Sequence, residues 1–241
     1  TYPLSVSAER TIQAKSIADY AKKINADAVS HGSTGAGNDQ VRFDVIFNIL
    51  CPNIEIITPI RDLKLSREAE IEFLKENQVE MNFEKALYSV NKGLWGTSVG
   101  GKETLTSNQY LPETAFPSQL EKTEADKTEV ILHFKQGEIV AINETVFSHP
   151  FEAILYLESL AAPFAIGRDI HVGDTIVGIK GRVGFEAASA LIILKAHHLL
   201  EKHTLSKFQL NLKSQLADWY GSWLHEGLFL DPALRDIETF F

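Results

Sequence analysis

The sequence predicts an α/β protein: a layered domain with parallel strands, followed by an α+β domain. Three observations carry that expectation. Helical and strand patterns alternate at short spacing from Glu9 to Asn77, which calls for parallel strands with helices packed on them. From about Gln78 the pattern becomes polar and turn-rich. Beyond it, Val130-Ile131-Leu132-His133-Phe134 and Ile139-Val140-Ala141-Ile142 flank Gln136-Gly137, the pattern of a β-hairpin. Residues 1–78 therefore belong to the first domain and 79–241 to the second.

The elements follow in order. Residues 9–25 read as an amphipathic helix, with Ile12, Ile17, Ala18, Ala21 and Ile24 on one stripe. A short strand at 27–30 leads through a glycine-rich turn into a helix ending near Leu50, whose apolar positions include Val41, Phe43, Val45, Ile46 and Ile49. Ile54-Glu55-Ile56-Ile57 is a second strand, stopped by Thr58-Pro59. Ser66 is an N-cap candidate for a helix reaching Asn77. If strands precede Thr1, this is the second half of a parallel-sheet domain. Past the polar stretch to about Lys127 and the hairpin, a helix is expected at 150–161, a strand at 175–180, a long helix from about 184 to 202 and another at 205–224.

Composition narrows the function classes. At 241 residues the chain can bury one large core or two smaller ones. The net charge of −9 argues against nucleic acid or an anionic membrane as partner. A single cysteine, Cys51, excludes an internal disulfide framework and suits a reducing cytoplasm. No apolar run reaches membrane-spanning length, and Tyr2–Arg10 is too polar for a signal peptide. His197, His198 and His203 do not share a helical face at the i,i+4 spacing that a metal pair needs, so no metal site is expected from them. Trp95, Trp219 and Trp223 read as core or interface aromatics.

The segment Ser30–Phe43, S-H-G-S-T-G-A-G-N-D-Q-V-R-F, is the most informative stretch. Gly32, Gly35 and Gly37 let backbone N–H groups approach a ligand, and the helix that follows offers a partial positive charge at its N-terminus. The spacing is not that of a dinucleotide fingerprint. Asn38-Asp39 stands where a P-loop needs Lys and then Ser or Thr. An acid there repels phosphate and attracts ammonium, which suits an amino-acid ligand beside a nucleotide. The plainer alternative is that Asn38 and Asp39 are ordinary N-cap and first-turn residues.

As a whole string this segment resembles the argininosuccinate synthase family, in which H-G-[AS]-T-G-x-G-N-D-Q-V-R-F is a hallmark. The resemblance extends to Tyr2–Arg10 (Y-P-L-S-V-S-A-E-R), Ser89–Ser98, Gly167-Arg168 and G-I-K-G-R at 178–182, with a weaker match after Leu205. It implies a nucleotide-binding α/β domain and a synthetase domain. It also implies an ATP-dependent ligase that adenylates the ureido oxygen of citrulline and lets the aspartate amine displace AMP, in arginine biosynthesis. ATP would enter with Mg²⁺, as substrate. The family is typically tetrameric, and the apolar helices of 205–241 are where a homo-oligomer's contacts are expected.

Carried over position by position, the resemblance places ATP at Gly32 and His31, and aspartate at Thr34, Asn38 and Asp39. Citrulline would lie at Tyr2, Ser7, Asn38, Arg42, Ser89 and Ser98. Arg42 would present its fork to a carboxylate; the plainer reading is a surface pair with Asp39. Where the family has a Glu and a Tyr near citrulline, aligning on Lys180 puts Gly173 and Phe185 here. Gly173 removes a charge and frees volume, and Phe185 offers an apolar edge. Together they point to an N-acylated citrulline, such as N-acetyl- or N-succinyl-citrulline, as the substrate. The family's pyrophosphate loop, S-G-G-x-D-[ST], has no copy here, the nearest string being Ser98–Lys102. The expectation is an interior piece of the enzyme, inactive alone. The alternative is a non-catalytic amino-acid-binding or oligomerising module.

Overall fold

A computed structural model describes residues 2–79, 88–117 and 127–241. The chain forms two compact units. One gathers Thr1–Ser5, Leu87–Gly173 and Gly181–Leu210; the other gathers Val6–Ala86, Asp174–Lys180 and Asn211–Phe241. Each unit thus also takes in stretches that are remote in sequence.

The second of these units carries the α/β layering. It contains α1 (Val6–Ile24), β1 (Ala28–Ser30), α2 (Asp39–Leu50), β2 (Glu55–Ile57), the short α3 (Pro59–Asp62) and α4 (Arg67–Glu76). β1 and β2 run parallel in the register Ala28↔Glu55 and Ser30↔Ile57, as helix–strand alternation demands. Small residues let the helices approach closely: Ala14, Ala18 and Ala21 of α1 form one core with Val29, Ile46, Phe47 and Cys51. The first helix begins at Val6, three residues before its expected start. Ser66 does cap α4, its hydroxyl accepting from Ala69 N–H at 3.2 Å.

In the other unit β3 (Ser89–Gly93) and β4 (Gly96–Gly100) form a hairpin, and β5 (Leu132–Lys135), β6 (Glu138–Ile142) and β7 (Thr145–Val146) form a three-stranded sheet. Gln136 and Gly137 both have positive φ, 51° and 84°, as a two-residue hairpin turn requires. The helix α5 (Pro150–Ala161) has the expected bounds. Next come β8 (Arg168–Asp174), β9 (Lys180–Glu186) and α6 (Ala188–Thr204), giving the sheet order β3-β4-β9-β8. Ile139 and Ile142 of β6 pack with Ala153, Ile154 and Leu157 of α5 and Ile193 of α6. Helices α7 (Lys207–His225) and α8 (Pro232–Phe240) complete the chain described.

Three expectations are corrected. The stretch 78–127 is not merely polar turns, since β3–β4 lies in it. Thr97, Ser98 and Val99 are buried by pairing with β9, a tertiary effect that overrides weak local strand propensity. The strand expected at 175–180 is a turn. Ile176, Val177 and Ile179 mimic a strand run, yet Thr175 N–H and Gly178 N–H close on Ile179 and Thr175 carbonyls at 2.8 Å, and the strands lie on either side. The helix expected from 184 starts at Ala188, because Phe185 and Glu186 belong to β9. Among the described residues no helix is long and apolar enough to cross a membrane.

Candidate functional site

The glycine-rich turn joins β1 to α2 and is held from behind. Ser33 N–H donates to His31 Nδ1 at 3.3 Å, which leaves Nε2 to donate to Asp44 Oδ1 at 3.0 Å. The other Asp44 oxygen takes Arg61 Nη1 at 2.5 Å, Arg61 reaches Gln40 Oε1 at 3.3 Å, and the Gln40 amide donates to the Gly35 carbonyl. The His31 ring also stacks on Phe43, 5.4 Å between centroids. With its side chain 6% exposed and both nitrogens engaged, the ring faces inward. The ring thus anchors the loop from behind.

The loop's own surface is open. A Cβ at Gly32 or Gly35 would meet only ordinary contacts, at 3.8 Å from Ile60 and Arg61, and neither glycine has positive φ. The chain's own packing does not require glycine at these two positions, and their bare backbone is open to approach from outside. Thr34 is exposed, and its carbonyl accepts from Gly37 N–H at 3.3 Å. Asn38 occupies the N-cap of α2 in αR geometry without a side-chain cap bond, which sets aside the plain capping reading for its carboxamide. Instead Asn38 Oδ1 accepts from Ile176 N–H at 2.8 Å.

Around Asn38 the same unit gathers Ser7, Asp39, Arg42 and His225. Arg42 is 3% exposed. Its Nη1 donates to Asp39 Oδ1 at 2.9 Å and its Nη2 to Ser7 Oγ at 3.1 Å. Nε and Nη2 both close on the main-chain carbonyl of His225, at 2.9 and 2.8 Å. That carbonyl lies in the last turn of α7, where the chain leaves the helix. Leu228 N–H reaches Trp223 O at 3.0 Å and Gly227 N–H reaches Leu224 O at 3.2 Å, a Schellman motif with Gly227 at φ +84°. A guanidinium there bonds a last-turn carbonyl and meets the negative end of the helix dipole. The expected surface pair of Arg42 with Asp39 is thus part-buried, with the guanidinium enclosed and the carboxylate half-buried. The fork expected to face a ligand carboxylate is turned to a helix end.

Asp39 holds a second guanidinium, Arg10 Nε at 3.1 Å on Oδ2. Its carboxylate is 33% exposed, and an ionised carboxylate has about four acceptor sites. Arg10 lies inside the Tyr2–Arg10 motif, so its position was legible but its partner was not. His225 carried no sequence signal at all.

The other unit holds Tyr2, Ser89, Ser98, Gly173 and Phe185. Ser98 is 3% exposed and is the cross-strand partner of Phe185; Ser89, opposite Gly100, is exposed. Gly173 frees no room. A Cβ there would lie 2.6 Å from His171 Nε2, so the imidazole already fills the space. His171 stacks on Tyr2 at 4.7 Å, and Tyr2 meets Phe185 edge-on at 5.8 Å. Phe185 is 2% exposed and offers no apolar edge to a ligand. Burial holds the His171 imidazole below its ordinary pKa, hence uncharged near neutrality. Elsewhere, His197 and His198 pair with Glu201, at 3.1 and 3.6 Å. Among the described residues no group of three His, Cys, Asp or Glu side chains is placed to hold a metal ion.

Comparison with known proteins adds two findings. The family model described as Arginosuccinate synthase N-terminal HUP domain matches residues 1–80, and that described as Arginosuccinate synthase C-terminal domain matches residues 88–241. Curated relatives named argininosuccinate synthase include that of Methanocaldococcus jannaschii, 35% identical over 99% of this chain and 60% of its own length. That of Thermoplasma volcanium is 38% identical over 98% of this chain and 59% of its own, and that of Methanopyrus kandleri 34% over 100% and 61%. The chain thus spans about 60% of the length of these relatives.

Proposed function

The chain belongs to the argininosuccinate synthase family, and on that premise we propose that its protein is an ATP-dependent ligase joining citrulline to aspartate. The ureido oxygen attacks the α-phosphorus of ATP and pyrophosphate leaves. The aspartate amine then attacks the ureido carbon, AMP leaves, and argininosuccinate forms. ATP enters as its magnesium complex. The observation that carries this reading is the open loop at Gly32 and Gly35, whose glycines the chain's own packing does not require, next to the converged polar side chains of Asn38, Asp39 and Ser7. The loop backbone takes the nucleotide. Thr34, Asn38 and Asp39 take aspartate. Tyr2, Ser7, Asn38, Ser89 and Ser98 serve citrulline, with Arg42 reaching its carboxylate or holding the groups that do. A non-catalytic amino-acid-binding or oligomerising module is the weaker reading, since the ligase family's N-terminal domain model runs through this loop.

An N-acylated citrulline is the finer proposal. The room once expected at Gly173 is absent, but the charge argument stands. The titratable group against Gly173 is an uncharged imidazole, which offers no partner to an α-ammonium. The protein is also proposed to act in the cytoplasm, within arginine biosynthesis, as a homo-oligomer. Helix α7 buries none of its side chains and leaves Phe208 79%, Leu212 45% and Trp219 59% exposed, a face suited to a second copy. The test of the central reading is AMP release by the natural-length protein that requires citrulline, aspartate and Mg-ATP together. Release without the amino acids, or none at all, overturns it.

A further inference from the structure

We propose that Arg61 is a positioning residue for ATP, acting through Asp44 and Gln40 on the glycine-rich loop. The proposal rests on the ligase reading above. The loop needs support from outside itself. Gly32, Gly35 and Gly37 leave its backbone more conformational freedom than other residue types would. Freedom that remains when the nucleotide arrives has to be frozen by binding, which weakens affinity. Two struts remove that freedom, and both end on Arg61.

The first strut runs from Ser33 N–H to His31 Nδ1, from His31 Nε2 to Asp44 Oδ1, and from Arg61 Nη1 to Asp44 Oδ2, at 3.3, 3.0 and 2.5 Å. The second runs from the Gln40 amide nitrogen to the Gly35 carbonyl, and from the same Arg61 Nη1 to Gln40 Oε1 at 3.3 Å. Each strut is closed by groups with one possible role. Backbone N–H and guanidinium groups only donate; a backbone carbonyl and an ionised carboxylate only accept. Nη1 carries two hydrogens, one for each strut.

Local structure puts Arg61 in this place. The Ile57 carbonyl at the end of β2 accepts from His31 N–H at 3.2 Å, and Pro59 opens α3 directly afterwards. Thr58 Oγ1 donates to Asp62 Oδ1 at 2.7 Å and closes that short turn. The turn lies along the loop, since a Cβ at Gly32 or Gly35 would stand 3.8 Å from Ile60 Cγ1 or Arg61 Cγ. The ion pair with Asp44 is part-exposed and contributes little as charge alone. What Arg61 supplies is geometry, one rigid fork that fixes two acceptors.

The experiment uses the natural-length protein with Arg61→Met, Gln40→Leu and both together. Methionine keeps an apolar stem beside Gly35 and removes the donors. Arg61→Met should raise KM for ATP about tenfold, the scale of one hydrogen bond to a charged group. KM for citrulline and for aspartate should stay within about twofold. The effect on kcat should be much smaller, because saturating ATP orders the loop itself. Gln40→Leu should raise KM for ATP by a smaller factor. The double variant should fall short of the product of the two, because each single change already breaks the second strut. Arg61→Lys, a point charge without the fork, should raise KM for ATP about threefold and carries the test if Arg61→Met does not fold.

Equal rises for all three substrates, an unmoved KM for ATP, or effects that multiply overturn the proposal. Calorimetric titration with ATP alone runs beside the kinetics. A wild type that binds ATP without releasing AMP sinks the ligase reading, and the affinities of the same variants then decide the role of Arg61. A wild type that neither binds nor reacts overturns both.

Discussion

His31 donates through Nε2 to Asp44 Oδ1 at 3.0 Å, and this single pair ties the glycine-rich loop to the middle of α2. Asp44→Ala should leave a buried N–H without a partner, a cost of about 1–3 kcal/mol. Urea unfolding should read that loss as a lower midpoint. Amide exchange should quicken through residues 31–38. An unchanged midpoint together with unchanged exchange would show that Arg61 and Phe43 hold the loop without this bond.

Two glycines near the end of α7 should respond with opposite signs. Gly227 has φ +84° and a Cβ there would stand 3.1 Å from the Arg42 Cα, so Gly227→Ala should destabilise by about 1–2 kcal/mol from the backbone alone. Gly221 lies inside the helix with nothing within 4 Å, so Gly221→Ala should stabilise by about 0.5–1 kcal/mol. Denaturant titrations that moved both the same way would contradict the Schellman geometry of this helix end.

Asp39→Ala should impair aspartate use selectively in the natural-length protein. Removing one partner of a desolvated charge pair costs about 2–5 kcal/mol, so kcat/KM for aspartate should fall at least roughly thirty-fold. In the proposed reaction adenylation of citrulline comes first, so it should suffer less. Isotope exchange reporting equal damage to both half-reactions would reduce Asp39 to a brace between Arg10 and Arg42.

How much of this was legible in the sequence depends on range. Pro150 at the first turn of α5 and the Gln136-Gly137 turn are local signals, and both elements appeared where the pattern put them. The loop motif was equally plain. What local patterns could not supply was tertiary: β4 is a strand because β9 buries it, and Ile176 sits in a turn because a glycine two residues later bends the chain back. The partners of Arg42 were out of reach for the same reason. A guanidinium, a helix end and a hydroxyl were brought together by folding, with no spacing rule connecting them.

Substrate choice can be read from a direct competition. N-acetyl-citrulline should give a higher kcat/KM than citrulline on the natural-length protein. A carboxylate at 173 needs the imidazole to move, because His171 Nε2 stands 2.6 Å from where the Cβ would go. The paired change His171→Ala with Gly173→Glu should therefore shift preference toward free citrulline. A clear preference for free citrulline in the unmodified protein ends the N-acyl proposal.

The depressed pKa of His171 carries a pH signature. An unfolded chain takes up this proton near pH 6.5, before the folded one does, so the group's contribution is complete above that value. It is lost as pH falls from there through the lower folded pKa. His171→Phe, compared with wild type by urea unfolding between pH 8 and pH 5, should show a smaller decline on acidification. Parallel pH profiles would mean that the ring is not desolvated.

The bond from Arg42 to the His225 carbonyl spans 183 residues, and the α/β unit recruits segment 211–241 to complete itself. A ribosome adding about 5–20 residues per second needs roughly 10–40 s to cover that interval. Throughout it α1 and α2 wait beside the tunnel exit with a buried-to-be guanidinium still wet. The nascent chain is thus kept from completing its polar cluster early, and a stalled translation product ending before α7 would leave Arg42 with Asp39 and Ser7 but without the His225 carbonyl.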